Sequence, residues 1–110
     1  MATRFDVLII GSGLAGFTLA LHLAEHRKVG VITKKQLGDA ASSWAQGGIA
    51  GVMDPEDRFE NHIADTLTAG GSLCDERVVE LVVRDAPHRI RELIGWGTHF
   101  DELAGELILG

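Results

Sequence analysis

Cysteine is nearly missing from this sequence: Cys74 is its one thiol. No intramolecular disulfide can form, which fits a reducing compartment and a cytoplasmic protein. No neighbour in sequence would lower the pKa of Cys74, so it reads as a small, partly buried hydrophobe rather than a nucleophile. Basic residues are also scarce, with 10 Lys and Arg against 16 Asp and Glu and a formal net charge of −6. That balance argues against nucleic acid or an anionic membrane surface as the main partner. A long unbroken apolar run is lacking as well. Val7 to Ala24 is mostly apolar and follows Arg4, but Asp6 stands at its edge, and three glycines and a serine interrupt its first half. A signal sequence or membrane span would be continuous, so no span is expected. The five histidines, His22, His26, His62, His88 and His99, show no metal-ligand spacing and read as surface or helix-face residues. Repeats, low-complexity tracts and linkers are absent too.

What is present is an ordinary globular composition. Hydrophobic residues make up 45% and charged residues 24% of 110, enough for one small domain at most and too apolar for disorder to dominate. Phe5 to Ile10 ends in the β-branched run Val7-Leu8-Ile9-Ile10, the pattern of a strand covered on both faces. Gly11 to Gly13 breaks it. From Leu14 to about His26 apolar residues cover most of a helix surface, the mark of a buried helix. Val29-Gly30-Val31-Ile32 reads as a second buried strand. Strand, helix and strand within about 30 residues predict a right-handed parallel βαβ unit.

Further along, Gln36 to Gly51 has no clear period, and Asp54-Pro55 predicts a turn. Phe59, Ile63, Thr66 and Leu67 recur at helical spacing up to Gly70-Gly71. A helix is expected from about Glu76. Pro87 is expected in the first turn of a separate helix that stops at Gly95, because a missing N–H costs nothing there. Leu103 to Gly110 predicts a hairpin turning at Ala104-Gly105. The fold class is therefore α/β, an incomplete Rossmann-like domain: a βαβ unit, then helices and the start of a hairpin. Two parallel strands are fewer than a stable sheet needs, so residues 1–110 are expected to be the N-terminal portion of a domain continuing in a longer protein.

The break after the first strand is Gly11-Ser12-Gly13-Leu14-Ala15-Gly16. A Gly-x-Gly-x-x-Gly between a strand and a helix predicts a site for a dinucleotide pyrophosphate. Gly11 makes the tight turn, Gly13 lets the backbone approach the phosphates, and Gly16 lets the helix pack closely on the strand. Ser12, Leu14 and Ala15 contribute backbone groups, and the helix N-terminus contributes its dipole. A tight turn with no ligand would not need all three glycines.

One expected residue is missing. An acid about 20 residues on normally binds the ribose hydroxyls of NAD. Here the second strand runs into Thr33-Lys34-Lys35, with no carboxylate. Plain NAD is disfavoured. Lys34 is a candidate for a ribose, an adenine-side phosphate, a backbone carbonyl or a 2′-phosphate, hence NADP, against the alternative of a solvated lysine at a strand end.

Ala41-Ser42-Ser43-Trp44-Ala45-Gln46-Gly47-Gly48-Ile49-Ala50 is the most distinctive stretch. Its small residues let backbone come close to a flat ring, and the Gln46 amide suits the mixed polar edge of a flavin. Ser43 and Gln46 also have capping-box spacing, so a plain helix start followed by a glycine loop is an equal alternative on composition.

Taken together, the glycine turn, the Ala45-Gln46-Gly47-Gly48-Ile49-Ala50 motif, His62-Ile63-Ala64-Asp65-Thr66, Gly70-Gly71 and Leu73-Cys74-Asp75 resemble the flavoprotein family of fumarate reductase and succinate dehydrogenase. Within that family the resemblance is to the branch that oxidises L-aspartate, and it covers essentially the whole chain. It implies FAD as cofactor, with Ser12 to Ala15 at the pyrophosphate, Lys34 beside the FAD, and Ala41 to Gly48 lining the flavin. It implies oxidation of L-aspartate to iminoaspartate, with oxygen or fumarate reoxidising the flavin, and a partner enzyme that carries the product on to quinolinate and so to NAD. Members that attach FAD covalently have a histidine five positions before the motif glutamine. Ala41 stands there, which implies noncovalent FAD. The family's Glu-Gly-Gly-His-Ser stretch and other catalytic residues have no counterpart in these 110 residues, so no catalytic residue is assigned. The alternatives are a fumarate or succinate oxidoreductase and a non-catalytic dinucleotide-binding module.

Overall fold

The computed structural model describes residues 2–45 and 47–109. They form two compact units, one ending at Gly47 and the other starting at Gly48. The first unit contains β1 (Val7–Ile10), α1 (Leu14–Ala24) and β2 (Val29–Ile32), then a short 3-10 turn at Ala41–Trp44. The second contains α2 (Phe59–Gly70), a 3-10 turn at Gly71–Leu73, α3 (Glu76–Gly95), and the strands β3 (Glu102–Leu103) and β4 (Glu106–Leu107).

β1 and β2 pair in parallel, in a register that runs from Val7 opposite Val29 to Ile10 opposite Ile32. The Asp6 carboxylate secures the entry by accepting the Lys28 N–H at 2.7 Å. At the exit the Gly11 N–H donates to the Ile32 carbonyl at 2.8 Å, which carries the pairing one residue into the turn. α1 packs on this pair, and Ile9, Ser12 and Gly30 are buried.

The expectation of covered strands and a buried helix is met only in part. No residue of α1 is buried. Leu8, Ile10, Leu14, Leu21 and Ile32 are exposed, Ile10 at 85%. The physical reason is geometric: one helix lying on a two-stranded sheet covers one of its faces. Each apolar face that lacks a neighbour stays open, even where the sequence pattern is that of an interior element.

In the second unit α2 and α3 pack together, and the buried stripe of α3 is Val83, Pro87 and Ile90. Those spacings of four and three place all three on one helix face. Pro87 thus corrects the expected pair of helices. α3 passes through it without a break. An interior proline costs about 3 kcal/mol through its lost N–H bond and ring clash. Burying its ring between Val83 and Ile90 recovers part of that, and the Arg89–Asp85 ion pair at 2.7 Å spans the proline from outside. α3 then ends in a Schellman motif. The Thr98 N–H donates to the Leu93 carbonyl and the Gly97 N–H to the Ile94 carbonyl, both at 3.0 Å, with Gly97 at φ +100°.

Asp75 starts α3. Its carboxylate accepts from the N–H groups of Arg77 at 3.0 Å and Val78 at 3.4 Å. Asp75→Ala should cost about 1 kcal/mol of stability, the usual worth of such a cap, read as a lower denaturation midpoint with Asp75→Asn largely retaining it.

Arg84 ties α3 to α2, bonding Glu80 at 2.9 Å and Glu60 at 3.1 Å while lying over the Phe59 ring. Glu60 sits in the first turn of α2, where its own backbone N–H and the Arg84 guanidinium hold its carboxyl below the usual range. A folded-state pKa below the unfolded one gives a contribution that is in place above the unfolded value and is lost as pH falls through the folded one. Stability of the α2–α3 pair is therefore expected to fall on acidification, and Glu60→Gln should flatten that limb of a stability–pH profile.

The hairpin appears as expected. β3 and β4 pair antiparallel, and Ala104 and Gly105 both have positive φ, as a type I′ turn requires.

Candidate dinucleotide site

The chain leaves β1 at Gly11 with φ +116°, a region in which a side-chain-bearing residue is strained. Gly13 caps α1 with extended backbone, and no side chain bonds the first turn of the helix. That turn also holds no acidic residue. Among the described residues no side chain bonds the N–H groups there, which have no acceptor within the helix, and no acidic side chain of that turn offsets the positive end of the helix dipole. A dinucleotide phosphate would fit here on both counts.

Glycine is required at two points of the turn for different reasons. A Cβ on Gly16 would stand 2.5 Å from the Gly11 carbonyl oxygen and 3.4 Å from Ile9 Cγ2. This is close packing of helix on strand, and the obstacle is backbone. A Cβ on Gly13 would have only Ser42 Oγ within reach, at 4.0 Å. The space at the Cβ position of Gly13 is thus open among the described residues.

The same distance places Ser42, in the Ala41–Trp44 turn, beside the glycine turn within the first unit. Two segments that the sequence singled out separately meet at Gly13 and Ser42. Ser43 does not act as the cap its spacing suggested. It lies inside the 3-10 turn, its N–H donating to the Ala40 carbonyl at 2.9 Å, and that turn has no side-chain cap. Ala41, Ser42, Ser43, Trp44 and Ala45 are all exposed. Trp44, at 78% exposure, borders an open depression of about 310 Å³ together with Gln36, Leu37, Gly38, Asp39 and Ser43. Gln46 lies outside the described residues. Gly47 has φ +96°, and Gly48 opens the second unit.

Lys34 lies two residues past the end of β2 and is exposed. Its neighbour Thr33 was not singled out from the sequence, yet Thr33 Oγ1 lies 2.9 Å from Ser12 Oγ. The one sequence signal was a hydroxyl where dinucleotide folds usually place an acid. Gln36 to Asp39, which border the depression, had no signal at all. No group of His, Cys, Asp and Glu suited to a metal ion occurs among the described residues, and none of their helices is long and apolar enough to cross a membrane.

A parallel βαβ unit with an uncapped helix start and a close-packed glycine turn defines a dinucleotide-binding protein. The chain belongs to the FAD binding domain family, which it matches over residues 6–107. Among curated proteins it is 53% identical over 97 residues to L-aspartate oxidase 1 of Ralstonia nicotianae, covering 88% of this chain and 18% of that protein. It is 44% identical over 108 residues to L-aspartate oxidase of Synechocystis, covering 98% and 20%. The chain thus spans about a fifth of the length of these relatives. Among solved structures it matches a mutant of E. coli quinol fumarate reductase FrdA, with a TM-score of 0.90 and 29% identity over 98% of this chain and 19% of that one. It also matches Mycobacterium smegmatis Sdh1 in complex with UQ1, with a TM-score of 0.85 and 34% identity over 96% and 18%. The expected α/β fold, the flavoprotein family and FAD as cofactor are all borne out.

Proposed function

We propose that this chain is the N-terminal portion of the FAD-binding domain of an L-aspartate oxidase. The observation that carries the reading is the meeting of the glycine turn with the Ala41–Trp44 segment at Gly13 and Ser42. One grips a pyrophosphate and the other lines a flat ring, so their adjacency suits a ligand with both parts. Gly11, Ser12, Gly13, Leu14, Ala15 and Gly16 hold the pyrophosphate through backbone groups. Lys34 approaches the adenosine side. Ala41, Ser42, Ser43, Trp44, Ala45, Gln46, Gly47 and Gly48 line the flavin. Identity of 53% to a relative named for L-aspartate supports the substrate. The apolar faces left open on β1, β2 and α1, in a chain one fifth of its relatives' length, support further sheet and helix from the rest of the polypeptide.

Held by the glycine turn, Lys34 and the Ala41–Gly48 segment, FAD would supply the hydride acceptor for oxidation of L-aspartate to iminoaspartate, the amine proton passing to a base outside the described residues. The described residues bind and orient the cofactor, and the residues that handle substrate protons belong to the rest of the protein. The product feeds a partner enzyme of quinolinate synthesis, and the setting is cytoplasmic. Turnover of L-aspartate by the full-length protein, with stoichiometric formation of iminoaspartate, tests the proposal. Turnover of fumarate or succinate without L-aspartate would instead favour an oxidoreductase like the solved structural neighbours.

Ala41 offers only an exposed methyl group, so nothing at that position can bond covalently to the flavin. Acid precipitation of the full-length protein is expected to release all flavin to the supernatant. A yellow pellet would overturn noncovalent binding.

A further inference from the structure

Ser12 is the buried polar side chain of the first unit, 6% exposed, and its hydroxyl is paired with that of Thr33 at 2.9 Å. This pairing spans the C-terminal ends of the two strands. A serine just before a helix has a competing option. Its hydroxyl can accept the N–H two or three residues on, as in an ST-turn. For Ser12 those N–H groups belong to Leu14 and Ala15, in the turn that no side chain caps.

We propose that Thr33 is a positioning residue for FAD: it draws the Ser12 hydroxyl away from α1 and so keeps the first-turn N–H groups open to phosphate. The proposal rests on the reading of the glycine turn as the pyrophosphate site. Ser12 is then a latched competitor as well as part of the turn. Thr33 supplies the latch without a carboxylate, which would bring a negative charge towards the phosphates.

The test uses full-length protein stripped of FAD and titrated with FAD by flavin fluorescence. Thr33→Val keeps the shape and removes the hydroxyl. It should weaken FAD about five- to tenfold, the factor corresponding to one capping bond of ordinary strength. Amide exchange at Leu14 and Ala15 should slow in that variant. In a Ser12→Ala background no competitor remains, so adding Thr33→Val there should change FAD affinity by less than about twofold. The Ser12→Ala/Thr33→Val double variant should recover most of the affinity lost in Thr33→Val, and Thr33→Ser should retain it outright. A pair that merely holds the fold together gives the opposite pattern, with Ser12→Ala as damaging as Thr33→Val and no recovery in the double variant. That pattern, or a Thr33→Val variant that fails to fold and is not rescued by Ser12→Ala, would overturn the latch. Gly13→Ala separates the two levels. If it leaves FAD affinity intact, the pyrophosphate reading itself is wrong. If it weakens FAD while Ser12→Ala gives no rescue, only the latch is wrong.

Discussion

Alanine at Gly16 is expected to cost the full-length protein its FAD and to destabilise it in the same step. The added methyl carbon would stand 2.5 Å from the Gly11 carbonyl oxygen. That oxygen is backbone at the end of β1 and cannot rotate away, so the helix must lift from the strand. Overpacking of this kind costs about 1–3 kcal/mol, and a rigid obstacle puts the cost at the upper end. Each 1.4 kcal/mol is about tenfold in affinity, so strain spent at the turn weakens FAD by up to about a hundredfold. Gly13→Ala makes the contrast. Gly13 has φ −78°, which alanine adopts freely, and its methyl would meet only Ser42 Oγ at 4.0 Å. The empty protein should melt as the parent does, while FAD affinity falls at least about tenfold because the methyl occupies the phosphate approach. Melting curves with and without FAD read both variants. Equal effects of the two on the empty protein would contradict the separate roles of these glycines.

The second large effect belongs to Ile90. It is 3% exposed and forms the buried stripe of α3 with Val83 and Pro87. Ile90→Ala should cost about 2–5 kcal/mol, the range for truncating a buried isoleucine that leaves a cavity. Gly51 shows where part of that cavity opens, since a Cβ there would lie 2.5 Å from Ile90 Cδ1. Gly51→Ala alone should cost about 1–3 kcal/mol by overpacking and Ile90→Val about 0.5–1.5 kcal/mol by underpacking. Combined, they exchange one methyl for another in the same space, so the double variant should be more stable than the sum of the two losses predicts. Denaturant titration of all four proteins measures this coupling. Additive losses would mean that Gly51 and Ile90 do not share a packing site.

Much of this was legible along the chain, and the reasons differ by element. β1, α1 and β2 are signalled by local features, a β-branched run cut by glycines and a continuous apolar helix pattern. α2 ends at Gly70 because Gly71, at φ +57°, follows it. Pro87 misled because its local cost is large, while its compensation lies seven residues apart on one face of α3, where only packing reveals it. Exposure of Ile10 and Leu21 misled for a related reason: the sequence records what a residue is built to contact, and the structure records what these residues alone supply. In the site, the glycines were readable because each carries a backbone requirement. Ser42 was readable as a member of a segment, but its place beside Gly13 was not. The Ser12–Thr33 pair joins positions 21 apart through two hydroxyls that have no pattern of their own.

The free edges of β1 and β2 bear on how such a protein is made. On the proposed reading the βαβ unit leaves the ribosome before the segments that complete its sheet. At about 5–20 residues per second, each further 100 residues adds roughly 5–20 seconds before the sheet can be completed. During that interval Leu8, Ile10 and Ile32 stand open beside unpaired strand edges, a template for pairing with another nascent chain. The most exposed step in the life of this flavoprotein is then its synthesis, and the residues that put it at risk lie next to those that will hold its cofactor.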